Sequence, residues 1–99
     1  MVVCYSSEFI EQLANIVSFI AQDNQTRADE FSSTLKQKIE TIAQMPYRFR
    51  QNPILQDKNI RDLIYKGYVV VFAISQDTIT ILGIFKHNIW KPESLDNKT

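Results

Sequence analysis

Ile60-Arg61-Asp62-Leu63-Ile64-Tyr65-Lys66-Gly67-Tyr68-Val69-Val70-Val71-Phe72-Ala73-Ile74-Ser75-Gln76-Asp77-Thr78-Ile79-Thr80-Ile81-Leu82-Gly83-Ile84-Phe85 is the stretch on which the fold turns. Its β-branched and aromatic residues fall into three runs, 60–65, 68–75 and 78–85, separated by Lys66-Gly67 and Gln76-Asp77. Such side chains pack well on a pleated surface, and two-residue breaks of turn-forming residues mark tight hairpins. The runs predict a β-meander. In the middle run Tyr68, Val70, Phe72 and Ile74 alternate with Val69, Val71 and Ala73, so this strand is apolar on both faces. One face is expected to pack on helices. The other is either covered by further chain or left as a binding surface.

The helices lie upstream. Val2-Val3-Cys4-Tyr5 is a short β-prone run, and Ser6 or Ser7 offers a side-chain oxygen to the free donors of a helix start. Phe9, Ile10, Leu13, Ile16, Val17 and Ile20 recur every three or four residues, which predicts a helix from about Ser7 to Ala21. Asp23-Asn24 reads as a turn and cap. Ala28, Phe31, Leu35, Ile39 and Ile42 then lay down a second helical stripe ending near Met45, before Pro46. So short a connection requires the helices to fold back as an antiparallel hairpin, merging their stripes into one apolar surface. Residues 46–58 carry prolines, arginines and amides without a period and read as a mobile loop. Residues 93–99, after Pro92, read as a flexible polar tail on a single domain spanning 1–92. Helices followed by a run of strands is the pattern of an α+β domain.

Composition narrows the function. The 99 residues are 44% hydrophobic and 22% charged, as expected of one globular domain with one core. The longest apolar run, 69–74, is far too short to span a membrane, and the N-terminus lacks the features of a secretory signal, so a cytoplasmic location is expected. Cys4 is the only cysteine, which excludes an internal disulfide, and it is expected to be a small buried hydrophobe. The formal charge of zero hides an asymmetry: residues 1–47 carry three basic and six acidic groups, whereas 48–91 carry seven and three. A pI near 6.6 nevertheless argues against a dedicated nucleic-acid binder, and no direct sequence-specific nucleic-acid binding is expected.

His87, the single histidine, follows Lys86 at the end of the last predicted strand. A lone imidazole there can act as a general acid or base, with Lys86, Arg61 or Lys66 stabilising a phosphate's developing charge. It can equally be a strand-end side chain bonded to a backbone carbonyl. One histidine and one distant cysteine provide no metal-ligand spacing, and no P-loop, dinucleotide fingerprint or Ser-His-Asp order is present, so neither metal nor cofactor is expected. Trp90 and Lys91, together with Arg48, Arg50 and Lys66, are the candidate contacts to a target. Basic and aromatic residues in such proximity can grip a partner or stack on one.

The assembled pattern, up to Pro92, resembles the RelE/ParE superfamily of toxins from bacterial type II toxin-antitoxin pairs. Ile60-Arg61-Asp62-Leu63, Gly67-Tyr68-Val69-Val70-Val71-Phe72 and Ile79 to His87 are similar to the ParE branch's arginine-led strand, tyrosine-led strand and strand ending in histidine. The second helix, followed by Pro46, is similar to that branch as well. The resemblance implies an order β-α-α-β-β-β, with the helix hairpin on one face of a mainly antiparallel sheet.

It also implies one of two activities, both restrained by a cognate antitoxin: metal-independent cleavage of messenger RNA on the ribosome (RelE-like), or inhibition of DNA gyrase by binding (ParE-like). RelE-like toxins place an arginine directly after the middle strand's tyrosine, where this chain has Val69, and their preceding lysines fall on Ile60 and Asp62. Neutral net charge also suits ribosome docking poorly. The ParE-like reading is therefore preferred, in which the protein is not an enzyme. If RelE-like, catalysis would fall to His87, Lys86 and Arg61. A non-toxic binding protein of the same fold is the third reading.

Overall fold

Described over residues 1–86 in a computed structural model, the chain runs β1 (Val2–Tyr5), α1 (Ser7–Asp23), α2 (Gln25–Ile42), a 3-10 turn (Pro46–Arg48), β2 (Arg50–Gln51), β3 (Ile60–Tyr65), β4 (Tyr68–Ile74) and β5 (Thr78–Lys86). The strands form one five-stranded sheet in the order β1-β5-β4-β3-β2. All neighbours are antiparallel except β1 and β5, which pair in parallel with Cys4 opposite Thr80. The helix pair supplies the crossover that a parallel pairing needs.

Local chemistry sets the helix ends. Ser6 accepts a 3.0 Å bond from Phe9 N, capping α1, while its hydroxyl donates to Leu82 O at 2.9 Å and so ties the helix start to β5. Asn24 is the whole connection between the helices. Its N–H closes α1 on Ile20 O at 2.9 Å, and its side-chain oxygen caps α2 by accepting from Arg27 N at 2.9 Å. One residue doing both jobs leaves no slack, which is why the hairpin is antiparallel. α2 stops at Ile42, three residues short of the predicted end.

The core lies between the helices and one sheet face. Phe9, Phe31, Leu35, Ile39 and Ile42 from the helices meet Leu63, Tyr65, Val70, Phe72, Ile74, Ile79, Ile81 and Ile84 from the sheet. α1 is less deeply set than its stripe predicts: only Phe9 is buried, and Ile10 is exposed. The parity of core positions in β5 switches from odd (79, 81) to even (84). A register shift explains this, because Gly83 faces Val71 while Ile81 faces Phe72, leaving Leu82 as an extra residue that bulges outward. Gly83 leaves room there for Gln12: a Cβ would stand 2.9 Å from Gln12 Oε1, the acceptor of the 2.9 Å bond from Ile84 N, and would push that side chain aside. At the β3–β4 turn Lys66 and Gly67 both have positive φ, 49° and 81°, the combination a type I′ hairpin demands.

Two expectations are corrected. Cys4 is exposed, because β1 is an edge strand and Cys4 does not point into the core. The segment 46–58 is not featureless: it holds the 3-10 turn and β2, which adds a fifth strand. Of the two alternatives for the second sheet face, the covered one holds along the middle of β4, where Val69 and Val71 are both buried. The tail 93–99 lies outside the described residues. No helix among the described residues is long and apolar enough to cross a membrane.

Candidate functional site

The cationic side chains singled out in the sequence are divided between the two ends of the sheet. β3 carries the division: Arg61 stands at its start, and Tyr65 with the Lys66 turn at its finish.

At the starting end, neighbouring residues point to opposite faces and fasten the loop from both sides. Arg61 donates from Nε to Lys58 O at 2.8 Å and from Nη1 to Phe49 O at 2.9 Å and Tyr47 O at 3.2 Å. Its guanidinium also lies 5.0 Å from the centre of the Tyr47 ring. Asp62 is buried on the other face, where it takes a 3.0 Å ion pair and a 3.1 Å Nε bond from Arg50, with a further 2.9 Å bond from Asn52 Nδ2. Arg61 and Arg50 are thus engaged in holding their own chain. Arg48 remains exposed, stacked 5.0 Å from the Phe49 ring.

At the finishing end, Tyr65 faces Tyr68, and Tyr68 faces Lys86 across the sheet. Phe31 of α2 packs on both tyrosines at 5.4 Å between ring centres. Three ammonium groups sit on these rings: Lys38 and Lys66 at 5.8 and 5.7 Å from Tyr65, and Lys86 at 5.8 Å from Tyr68. None of the three is paired with a carboxylate among the described residues. Beside them a groove of about 610 Å³ runs from Lys66 and Tyr68 to Phe19, Ile20 and Arg27 at the helix turn.

A catalytic group built from Arg61 and Lys86 is not assembled. Arg61 is opposite Phe72 and Lys86 opposite Tyr68, so they are four residues, about 13 Å, apart along the strands, and one strand lies between them. His87, Trp90 and Lys91 lie outside the described residues. Among the described residues no His, Cys, Asp and Glu cluster could hold a metal ion.

A third feature belongs to the helix hairpin, whose stripes the sequence merges into one apolar surface. Between the helices and beside β1, Tyr5, Phe9, Ile10, Leu13, Leu35 and Ile39 line a groove of about 210 Å³. Burial, and after it the negative charge of Glu40, pushes the Tyr5 phenol above its ordinary pKa of 10.0. The signal was present in Ile10, which the apolar stripe of α1 includes but the core does not use.

The site is thus a helix hairpin on a largely antiparallel sheet, with Arg61 and Arg50 engaged in holding the loop and Lys38, Lys66 and Lys86 seated on two tyrosines beside a groove of mixed polarity. Residues 3–89 match the family described as ParE toxin of type II toxin-antitoxin system, parDE. The chain belongs to that family and is a ParE-type toxin. Among solved structures it is similar to the chromosomal ParDE toxin-antitoxin system of P. aeruginosa, with a TM-score of 0.72 and 15% identity, covering 87% of this chain and 95% of that one. At that identity the likeness speaks for the fold. No curated protein matches the chain in sequence.

Proposed function

We propose that this toxin acts in the cytoplasm by binding DNA gyrase and halting its cycle, without chemistry of its own, and that a cognate antitoxin neutralises it. The observation that carries this reading is the state of the positions where the RelE-like branch places its cations. Asp62 is a buried carboxylate already committed to Arg50 and Asn52, and Val69 is a buried apolar residue. A phosphate approaching that face would meet no cation from either position.

The helix-hairpin groove suits the antitoxin. Its floor of Phe9, Leu13, Leu35 and Ile39 and the exposed rim residue Ile10 fit the apolar face of a partner helix, the helix-in-groove mode of recognition. The lysines at the Tyr65–Tyr68 end, joined by Trp90 and Lys91 further along the chain, remain candidate contacts to the target.

Two assays on the purified toxin decide the matter. It should stop gyrase supercoiling while leaving messages intact in a translating extract, and adding the antitoxin encoded by the adjacent gene should restore supercoiling. Cleaved messages with normal supercoiling would overturn the proposal in favour of ribosome-dependent cleavage.

A further inference from the structure

β5 delivers the chain to a groove that the two helices leave open. It is tied to the start of α1 at two points, where Ser6 Oγ donates to Leu82 O and Ile84 N donates to Gln12 Oε1, each at 2.9 Å. The ties advance together along both elements, so α1 and β5 run the same way. Phe19 lies about two turns, or 10 Å, past Gln12, so the part of α1 that bears Phe19 and Ile20 lies ahead of β5 in the direction the strand is heading. Lys86, the last residue of β5, stands opposite Tyr68 with its ammonium 5.8 Å from the centre of that ring. Tyr68 is itself a wall of the groove of about 610 Å³, together with Phe19, Ile20, Phe31 and Lys66. Residues 87–99 follow from its lip.

The groove lacks an apolar cover. Phe19 is 67% exposed, although Ile20 beside it is half-buried. A large aromatic side chain laid on Phe19 would take both rings out of water. Charge along the lining cancels, Asp23 and Glu30 against Arg27 and Lys66, so the groove selects neither an anion nor a cation. A neutral indole matches it: the ring lies on apolar carbon and accepts a stacked cation, and its N–H finds a carboxylate to donate to. The chain beyond Lys86 reads His87-Asn88-Ile89-Trp90, and Trp90 is the protein's single tryptophan.

We infer that Trp90 seats in the groove between Phe19, Phe31 and Tyr68, so that the end of this chain closes the open end of its own core. Trp90 is four residues past Lys86, which gives it a reach of about 13 Å in extended chain. Alternation along a strand puts residues 88 and 90 on the face that Lys86 shares with Tyr68. Covalent attachment holds Trp90 beside the groove at an effective concentration on the order of millimolar, which a separate occupant would have to match. The inference does not depend on which target the toxin binds. It narrows the contacts to that target, because Trp90 is taken up by its own fold and Lys91, the next residue, stays outside.

The test reads the fluorescence of Trp90, the one indole of the chain, in the full-length toxin free of antitoxin. Its emission maximum should lie to the blue of the urea-unfolded chain, and acrylamide should quench it at least about twofold less steeply than in that chain. Phe19→Glu, at an exposed position, should move both readings towards the unfolded values while the far-UV circular dichroism is kept. Ile10→Glu, also exposed on α1 but lining the other groove, should leave both unchanged. If Phe19→Glu loses its fold, Phe19→Ala is judged by the same criterion. Emission at the unfolded wavelength in the native chain overturns the inference, as does a shielded indole that neither Phe19 variant exposes. Shielding that fades on dilution together with a dimer gives the groove to a second copy of the chain, and shielding that appears only once the antitoxin is added gives it to the antitoxin. Either result overturns self-docking.

Discussion

Replacing Arg50 by alanine tests the electrostatics of the loop anchor most directly. The Asp62 side chain is 1% exposed, while that of Arg50 is 46% exposed. Arg50→Ala therefore strands a carboxylate in the interior with Asn52 as its remaining side-chain donor. Removing one partner of a buried ion pair costs about 3–5 kcal/mol, and the half-exposed, water-screened arginine places this case nearer about 2–3 kcal/mol.

Asp62→Asn differs in kind. It keeps an oxygen for Asn52 Nδ2, removes the buried charge, and frees an arginine that already reaches water, so the loss is about 1 kcal/mol, the scale of one net hydrogen bond. Combining the two substitutions removes both the charge and its partner, and the double variant should be more stable than Arg50→Ala alone by about 1 kcal/mol or more.

Urea titrations with a constant slope measure these differences. In a domain of this size 1 kcal/mol moves the thermal midpoint by roughly 4–8 °C, so the recovery is readily seen. A double variant as unstable as the sum of the two single ones would refute the claim that a stranded buried carboxylate dominates the cost.

Four further outcomes are expected. Arg61→Lys exchanges a planar fork that reaches Lys58 O, Tyr47 O and Phe49 O for a compact ammonium; it should lose about 1–2 kcal/mol and speed amide exchange over residues 46–60, measured by hydrogen exchange. Gly83→Ala should displace Gln12 and leave Ile84 N unpaired at a cost of about 1–3 kcal/mol, and in denaturant titrations the cost should largely vanish in a Gln12→Ala background. Asn24→Ala removes the α2 cap and should cost about 1 kcal/mol by the same measurement. Because the Tyr5 pKa is raised in the fold, the stability held by its neutral form is intact below the ordinary value of 10.0 and is lost as pH rises through the folded-state value. Tyr5→Phe should therefore flatten the alkaline fall in thermal midpoint.

What the sequence determined by itself was most of what near neighbours govern, the end of α2 and the Pro46–Arg48 turn excepted. The strand 60–65 and the Lys66-Gly67 turn are found where the residues place them, because hairpin geometry is set within a few positions. The Ser6 and Asn24 caps and the two helix stripes were legible for the same reason. β2 was not legible. It is only Arg50 and Gln51, too short for any periodicity, and it exists because Asp62 ion-pairs with Arg50 from a strand ten or more residues away.

The parallel pairing of β1 with β5, the exposure of Cys4 at the resulting edge and the β5 bulge are likewise properties of strand placement. The candidate site divides along the same line. Sequence reasoning found the cations, but only the tertiary structure showed that Arg61 and Arg50 are spent on the loop while Lys66 and Lys86 stand at the far end of the sheet. Charge and residue type are written locally. Whether two charges can act on one ligand depends on register, and register is settled by contacts between residues far apart in the chain.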